Sequence, residues 1–261
     1  MDIRLAIVGS GRVAEVLLSQ FSKKIPSSNI VIIARNVEKA RCLVEKYGVS
    51  CYSLDDSIDE VFDFVIISIK DKFIAEISEK VYTFAKGAVV CHTSGCVHID
   101  EISDCITNKG VFYPLQSITD SVNLDFSEVP IFVEAHNDEN VNKLLELASL
   151  VSNNVSCVSS ETREKLHLCA VFANNFTNHI FTLVNEIVER EGVDAAVLQP
   201  LIKATFDRIM SSNPKEIQTG PARRADMTTI NRHLELLGDD NTKEVYKTIT
   251  NSILNTYKDE L

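Results

Sequence analysis

The feature that most constrains this chain is a short run at residues 5–14, where four apolar residues lead into a glycine-rich turn. The apolar residues 5–8 predict a buried strand. Gly9, Gly11 and Ala14 then follow the G-x-G-x-x-A pattern, in which the glycines permit a tight turn and close approach of a pyrophosphate. The alternative is an ordinary strand-to-helix turn, but a strand before the pattern and a helix after it favour a dinucleotide site. The predicted cofactor-binding residues of this turn are Gly9, Ser10, Gly11, Arg12, Val13 and Ala14.

Composition limits the class of protein. The 261 residues suffice for one large domain or two ordinary ones, and the 45% apolar content supports a sizeable core. A net charge of −11 argues against nucleic acid or an anionic membrane as the main partner. No apolar run approaches the roughly 20 residues of a transmembrane helix, and a strand predicted at the very start leaves no room for a signal peptide.

The cysteines indicate a reducing compartment. There are seven of them, with no C-x-x-C pair and no spacing typical of structural zinc. A redox role for Cys91 and Cys96 is the weaker alternative. We therefore expect a cytoplasmic protein with reduced thiols, no metal site, and no membrane or nucleic-acid partner.

Strands and helices alternate through the first 160 residues. Strands are predicted at 5–8, 30–34, 50–53, 63–69, 88–91, 110–113, 129–134 and 155–158. Helices are predicted at 12–21, 37–47, 72–85, 99–107 and 139–151, with Asp71 as an N-cap and Gly48 as a C-cap. This alternation predicts an α/β fold, a Rossmann-like, doubly wound and mostly parallel sheet.

After residue 160 only helical periodicity remains. One long helix is predicted at 161–190, followed by helices at 195–211, at 226–237 and from 241 or 242 onward. We therefore expect a dinucleotide-binding domain at 1–160 and an all-helical substrate and dimerisation domain at 161–261.

The end of the second strand predicts which dinucleotide binds. NAD sites carry an Asp or Glu there, roughly 20 residues past the glycines. This chain has Ala34, Arg35 and Asn36 instead, and an arginine pairs well with a 2′-phosphate. The sequence therefore favours NADP (NADPH) over NAD, with Arg35 as a cofactor residue. The alternative is that Arg35 is a solvated residue at the head of a loop.

Two loops at the carboxyl ends of strands carry the polar groups expected of an active site. Residues 91–95 include Ser94, a candidate catalytic residue, and residues 113–117 include Gln116, a candidate substrate ligand. Hydroxyl, imidazole, amide and phenol groups gather there in apolar surroundings, which suits a small polar substrate. The alternative is turn chemistry, with a bend at Ser94 and a strand stop at Pro114.

The long helix supplies further candidates. At 100° per residue, Asn174 and Asn178 lie within about 20° of His167, and Asn175 lies about 80° away. A polar stripe on an otherwise apolar helix needs partners, either a substrate or neighbouring backbone. His167 and Asn174 are therefore candidate catalytic residues, and Asn175 is a candidate substrate ligand. The alternative for His167 is a core histidine satisfied by its neighbours.

A second candidate anion site lies at residues 218–226. Arg223 and Arg224 are adjacent on a Gly-Pro turn that precedes a helix. They could bind an anionic substrate or a cofactor phosphate. The alternative is a structural loop whose arginines pair with carboxylates of this acidic protein.

Taken together, these motifs resemble the superfamily of 6-phosphogluconate dehydrogenase, β-hydroxyacid dehydrogenases and pyrroline-5-carboxylate reductases. Four runs, at residues 92–95, 113–117, 166–176 and 219–226, are more closely similar to a family of NADP-dependent oxidoreductases. Members of that family join a Rossmann-like N-terminal domain to a helical C-terminal domain. The resemblance covers nearly the whole chain. It implies hydride transfer between NADP(H) and a small carbonyl, imine or hydroxy acid, in a homodimer formed through the helical domain.

The chain departs from the superfamily at one position. β-Hydroxyacid dehydrogenases carry a lysine on the long helix with an asparagine four residues later. If Asn175 matches that asparagine, the lysine position holds Val171, and Lys165 lies on the opposite face. An imidazole exchanges protons near neutral pH, so our hypothesis is that His167, one turn earlier, replaces the lysine as acid and base.

Two functions therefore remain open. In an NADP-dependent oxidoreductase, Ser94, Gln116 and Asn174 would hold the substrate and Arg223 or Arg224 would meet its carboxylate. The alternative is an inactive dinucleotide-binding sensor or scaffold, which the missing lysine favours.

Overall fold

A computed structural model describes residues 2–118 and 125–260 of the chain. The chain divides into two compact units, Met1–Asn175 and Phe176–Leu261. The first unit contains the sheet. Among its described residues, the second unit contains helices, turns and no strand. No helix of the described residues is long and apolar enough to cross a membrane.

The sheet of the first unit has eight strands in the order β3-β2-β1-β4-β5-β6-β7-β8. The strands are β1 (Leu5–Val8), β2 (Ile30–Ala34), β3 (Ser50–Ser53), β4 (Phe64–Ile67), β5 (Val89–His92), β6 (Lys109–Pro114), β7 (Ile131–Ala135) and β8 (Val155–Cys157). All pairs are parallel except β6 with β7. The strand order reverses between β1 and β4, and doubly wound folds bind ligands in the crevice at such a point. The predicted Rossmann-like, mostly parallel fold is confirmed.

Helices cover both faces of the sheet. The α-helices of the first unit are α1 (Arg12–Phe21), α2 (Val37–Tyr47), α3 (Ile74–Val81), α4 (Asp138–Ser149) and α5 (Ser160–Ala170). A π-helical segment (Val171–Phe176) follows α5. The α-helices of the second unit are α6 (Thr177–Arg190), α7 (Gln199–Ser211), α8 (Met227–Leu236) and α9 (Asp240–Tyr257). Short 3-10 turns lie at Ser27–Asn29, Asp71–Phe73, Ile99–Glu101, Phe126–Glu128, Ala195–Leu198, Ala222–Arg224 and Lys258–Glu260.

The apolar character of β1 reflects burial on both faces. Leu5 and Ile7 belong to the cluster that also contains buried residues of α1, α2 and α4. Ala6 and Val8 belong to the opposite cluster, with those of α3. A strand covered on both faces gains from apolar residues at every position, which explains the lack of alternation.

Two local predictions are wrong. The helix predicted at 99–107 is a single 3-10 turn, Ile99–Glu101, followed by turns. Ile102 and Ile106 are both buried, so a four-residue apolar spacing that suggests a helix is satisfied by turns. Asp71 does not cap α3. It begins the 3-10 turn Asp71–Phe73, and its Oδ2 lies 3.5 Å from Cys96 Sγ.

The long helical stretch begins at Ser160, one residue before the predicted start, and reaches Arg190 with the π-helical segment inside it. The first compact unit nevertheless extends to Asn175, beyond the predicted boundary at 160. The reason is that α5 packs on the sheet through the fully buried Arg163, described below.

Candidate active site

A cleft of about 640 Å³ lies along the carboxyl ends of β1, β2 and β4. Its lining brings together residues 8–13, residues 33–36 and residues 68–70, with Lys39, Leu54, Phe73, Ile77 and Thr93. All the predicted cofactor residues line it except Ala14. That residue is fully buried in the core, as expected for the position where helix and strand pack closely.

The glycines of the turn shape the middle of the cleft. Gly9 has φ +128°, and a Cβ there would lie 2.1 Å from the carbonyl oxygen of Ser68. Its N–H donates to the Ile33 carbonyl at 2.8 Å. Gly11 is the N-cap of α1, and a Cβ built on it would meet nothing within 4 Å. The backbone at the start of α1 is therefore open to a phosphate, which its N–H groups can bind.

One end of the cleft is positively charged. Arg35 and Lys39 both line it, and the guanidinium carbon of Arg35 lies 5.8 Å from the ring centroid of Phe73. Asn36 caps α2 by accepting from the Lys39 N–H at 3.1 Å. Among the described lining residues there is no carboxylate. Sequence reasoning missed Lys39 and Phe73. Lys39 lies in the first turn of α2, close to Arg35 in sequence, and this proximity was the available signal.

The other end of the cleft contains an unpaired buried hydroxyl. Ser68 is 5% exposed, and within the described part of the chain its Oγ has no hydrogen-bond partner. Ser68 lines the cleft beside Ile69, Lys70 and Thr93. A buried polar atom facing a cleft is a group that a bound ligand can satisfy. The strand predicted at 63–69 included Ser68, whereas β4 ends at Ile67, so this hydroxyl lies just past the strand.

The loop after β5 continues from Thr93 away from the cleft. His92 is fully buried, and its Nδ1 accepts from the Ser94 N–H at 3.1 Å. Burial, together with the charge of Arg163, lowers the pKa of His92 to about 3, so the ring is neutral. The Ser94 hydroxyl oxygen accepts from the N–H groups of Cys96 and Val97 at 3.2 and 3.1 Å. The structure thus gives Ser94, a predicted catalytic residue, a part in holding this turn.

His167 meets the sheet at the end of β6. Its Nδ1 lies 2.9 Å from the hydroxyl oxygen of Tyr113, with the ring centroids 6.0 Å apart at 70°. A Cβ on Gly95 would lie 2.5 Å from the same Nδ1, so the close approach of the ring requires glycine there. Burial, then the nearby Cys96, raises the pKa of Tyr113 to about 12. The sequence placed the Tyr113 phenol and the loop at 91–95 among the site-forming groups, but it did not predict their contacts with His167.

A buried ion pair anchors α5 one turn before His167. Arg163 is 1% exposed and pairs with Glu134 of β7. Its guanidinium also donates to the Val97 carbonyl and, at 3.1 Å, to the Ser160 hydroxyl. Glu134 in turn accepts from the Ser160 N–H at 2.9 Å. Because it bonds to β7 and to the loop after β5, Arg163 fixes the helix that carries His167.

The angular positions predicted for the polar stripe on the long helix are wrong. It assumed 100° per residue from His167 to Asn178, but Val171–Phe176 is π-helical. A π-helix bonds residue i to i+5, so each residue turns through a smaller angle and the later positions rotate away. Asn174 and Asn175 lie in this segment and are exposed.

The remaining candidates are Gln116, Arg223 and Arg224. Gln116 is exposed, and its Oε1 accepts from the Ser117 N–H at 2.8 Å. In the second unit, Arg223 pairs with Glu260 at 2.6 Å and lies 4.3 Å from the Tyr257 ring centroid. Arg223 thus pairs with a carboxylate of the protein, which is the structural alternative given above, whereas Arg224 is exposed.

The described residues contain neither a cluster of metal ligands nor a disulfide bond. Across residues 2–118 and 125–260, no group of three or more His, Cys, Asp or Glu could hold a metal ion. All seven cysteines are free thiols.

Comparison with known proteins gives matches over both units. Residues 4–94 match the family described as NADP oxidoreductase coenzyme F420-dependent, and residues 129–253 match a domain of unknown function, DUF2520. The crystal structure of BF3122 from Bacteroides fragilis, described as a "putative NADP oxidoreductase", is 32% identical with a TM-score of 0.87. That alignment covers 97% of this chain and 98% of BF3122.

More distant proteins share the fold. A reductive aminase from Aspergillus terreus in complex with NADPH and ethyl levulinate is 14% identical, with a TM-score of 0.68 over 99% of this chain and 95% of that one. An imine reductase variant from Myxococcus stipitatus in complex with NAD+ is 12% identical, with a TM-score of 0.64 over 99% and 94%. A glutamyl-tRNA reductase from Sulfolobus acidocaldarius is 25% identical over 148 residues, or 55% of this chain. The match spans about a third of that relative, 35% of its length.

Proposed function

This chain belongs to the family of NADP oxidoreductases that join a Rossmann-like N-terminal domain to a helical C-terminal domain, and on that premise we propose that it transfers a hydride between NADP(H) and a small carbonyl, imine or hydroxy acid. The observation that carries the proposal is the continuity of the site. The loop that leaves the cleft at Thr93 reaches His167 within two residues, at Gly95. A bound dinucleotide and a proton-exchanging side chain would thus share one edge of the sheet.

The cleft residues fit the cofactor. The N–H groups at the start of α1, open in front of Gly11, would bind the pyrophosphate. The unpaired Ser68 hydroxyl would bind a polar group nearer the nicotinamide. When bound, the cofactor supplies the hydride, and the protein orients the substrate and manages the proton.

The preference for NADP over NAD rests on charge. Arg35 and Lys39 give the adenosine end two cations, which suit a 2′-phosphate. The carboxylate that reads a free ribose 2′-hydroxyl has no counterpart among the described lining residues. One distant fold relative holds NADPH and another holds NAD+, so the fold alone leaves the choice of dinucleotide open. The preference for NADP is therefore supported by the side chains of Arg35 and Lys39.

His167 is the proposed acid and base. Its ring is held against Tyr113 and Gly95 at the end of the loop that leaves the cleft. In reduction it would provide the proton gained by the substrate oxygen or nitrogen, and in oxidation it would accept that proton. Asn174 remains a predicted catalytic residue, and Asn175, Gln116 and Arg224 remain predicted substrate ligands.

We also propose a homodimer formed through the helical unit. Large apolar side chains are exposed there, including Met210 at 86%, Leu236 at 73% and Leu201 at 62%. Association surfaces are typically contiguous apolar patches, and these side chains would supply one. The expected cytoplasmic location agrees with the free thiols. Sedimentation of the purified chain tests the dimer, and a monomer at all concentrations would contradict it.

Two experiments test the proposed activity. In the first, NADPH and NADH are titrated into the wild type and the variant Arg35→Gln. We expect the wild type to prefer NADPH by at least about tenfold and the variant to lose most of that preference, since one charge pair is worth about that much. Equal affinities in the wild type would remove the charge argument.

In the second, NADPH oxidation is followed across a panel of keto acids and cyclic imines. The variant His167→Gln should lower turnover at least about 100-fold while leaving the NADPH dissociation constant unchanged. His179→Gln is the matched control, because His179 is an exposed histidine in the next helix, α6. Undiminished turnover in His167→Gln excludes His167 from the mechanism.

A sensor without turnover is the second candidate function. The observation that favours it is Val171, which stands where the related dehydrogenases are expected to carry lysine. Tight NADPH binding with no oxidation by any member of the panel would favour the sensor.

A further inference from the structure

We propose that Tyr113 is a positioning residue that holds His167 with its proton on Nε2, so that the site offers a hydrogen-bond donor to a carbonyl oxygen. This inference rests on the role proposed for His167 and narrows the substrate class.

The ring of His167 is fixed on its Nδ1 side. The Tyr113 hydroxyl meets Nδ1 at 2.9 Å, and Gly95 lies so close that an added Cβ would be 2.5 Å from Nδ1 and 2.6 Å from Cγ. The edge-to-face packing of the two rings, at 70°, sets the ring plane as well. Nε2 takes no part in these contacts, so it is the nitrogen left for a substrate.

The direction of the hydrogen bond decides the tautomer. Burial, with Cys96 and Asp71 nearby, raises the pKa of Tyr113 although the Arg163 charge opposes it, so the phenol keeps its proton. A phenol is a good donor and a neutral imidazole nitrogen is a good acceptor, so the hydroxyl donates to Nδ1. In a neutral imidazole whose Nδ1 accepts, the ring proton is on Nε2. If that proton is given to the reduced substrate oxygen, the phenol proton would pass to Nδ1, so the ring stays neutral and the Tyr113 oxygen carries the charge until solvent returns a proton.

The helix anchor makes this contact a fixed one. Arg163 lies one turn before His167 on α5 and is bonded to Glu134 and to the Val97 carbonyl. The same loop therefore supplies both Val97, which holds the helix, and Gly95, which touches the ring. The backbone of α5 at His167 is therefore fixed relative to this loop.

A donor at Nε2 selects among substrates. A carbonyl oxygen has lone pairs to accept the Nε2–H, whereas a protonated imine presents its own N–H and no acceptor. Two donors facing each other leave both unpaired, which costs binding. The site should therefore take keto acids in preference to cyclic iminium ions.

Nitrogen NMR tests the tautomer without any substrate. The full chain is labelled with ¹⁵N-histidine and studied at mildly alkaline pH, where an ordinary imidazole is neutral. Loss of one set of signals in His167→Gln assigns this residue among the six histidines. We expect a protonated Nε2 and an unprotonated Nδ1. A protonated Nδ1 in the wild type would overturn the proposal.

The chain supplies its own matched control. In the second unit, His233 Nδ1 lies 2.8 Å from the Tyr246 hydroxyl, with the rings edge to face at 80°. Tyr113→Phe should shift the Nδ1 signal of His167 and leave that of His233 in place, and Tyr246→Phe should do the reverse. An unmoved His167 signal in Tyr113→Phe would also overturn the proposal.

Kinetics test whether Tyr113 acts through His167. With the best keto acid of the panel, Tyr113→Phe should lower kcat about tenfold and leave the KM for NADPH unchanged. Added to His167→Gln, the same change should cost nothing more, because residues that act as a unit are non-additive. An equal loss in both backgrounds would show that Tyr113 acts independently. If no substrate turns over, the proposed function fails, while the NMR result still decides the tautomer.

Discussion

One end of the candidate site is formed by backbone atoms and the other by side chains. The phosphate end is made of backbone, namely the turn at Gly9, the open space at Gly11 and the first N–H groups of α1. The His167 end is made of side chains. Tyr113 and His167 meet across 54 positions of sequence, and Gly95 comes from a third place.

The difference shows which structural features each end of the site depends on. A backbone turn depends on what is absent, since any side chain at Gly9 would meet the neighbouring strand. A side-chain contact depends on the residues that fix its position, and the helix that carries His167 is fixed by the buried charge of Arg163. Arg163 is stable inside the protein only while its partners remain, because an unpaired buried charge is costly.

Replacing Gly9 tests the phosphate end and should have the largest effect. In Gly9→Ala the new Cβ would lie 2.1 Å from a backbone carbonyl, at φ +128°, which L side chains rarely adopt. We expect a loss of at least about 4 kcal/mol in the free energy of unfolding, measured by denaturant titration.

Gly11→Ala is the matched control for that change. Its Cβ would meet nothing within 4 Å, so stability should change by no more than about 1 kcal/mol. NADPH affinity should nevertheless fall at least about tenfold, because the methyl group projects where the pyrophosphate would bind. Equal destabilisation by the two alanines would contradict this division of roles.

Local signals explain what the sequence could predict. The bounds of α1, β2 and α2 match the structure because a glycine turn, an apolar run and the Gly48 C-cap mark them within a few residues. The cleft lined by residues 8–13 and Arg35 was predictable for the same reason. Each of these features is encoded by neighbours in sequence.

Long-range contacts explain what it could not predict. The pairing of Tyr113 with His167 and the close approach at Gly95 depend on how α5 packs, which no local pattern records. The π-helical segment at Val171–Phe176 also escaped detection, because its residues fit an α-helical pattern equally well. The sequence therefore selected His167 as a polar residue of interest, but its contact with Tyr113 could not be predicted from local signals.

Breaking the Arg163 ion pair tests the His167 end. In Arg163→Met, Glu134 keeps a buried charge without its main partner, so we expect a loss of about 3 kcal/mol in unfolding free energy. Lys203→Met is the exposed control, since its pair with Asp207 is largely solvated and should contribute less than about 0.5 kcal/mol. The double variant Arg163→Met with Glu134→Leu should recover part of the loss. Additive losses would contradict the pairing.

The buried His92 at the start of the same loop predicts a pH dependence. Burial lowers its pKa from 6.5 to about 3, so between these values the unfolded chain binds a proton that the native chain does not. The unfolding free energy should therefore fall as pH falls through this window, by about 1.4 kcal/mol per pH unit. Comparing the wild type with His92→Gln at each pH cancels the shared contribution of carboxylates. A difference that stays constant from pH 6.5 downward would contradict the depressed pKa.

Gly95→Ala separates the two ends with the smallest effect on stability. The added methyl group would lie 2.5 Å from His167 Nδ1, so the ring must move away from Tyr113. We expect a loss of about 1–2 kcal/mol in stability and at least about tenfold in turnover, with unchanged NADPH affinity. Gly238→Ala is the control, because the only atom its Cβ would meet is a terminal nitrogen of the long Arg190 side chain, at 2.9 Å. If Gly95→Ala weakened NADPH binding as much as turnover, the cleft and the His167 contact would form a single unit. Unchanged binding with reduced turnover would mean that the backbone end binds the cofactor independently of the side-chain end.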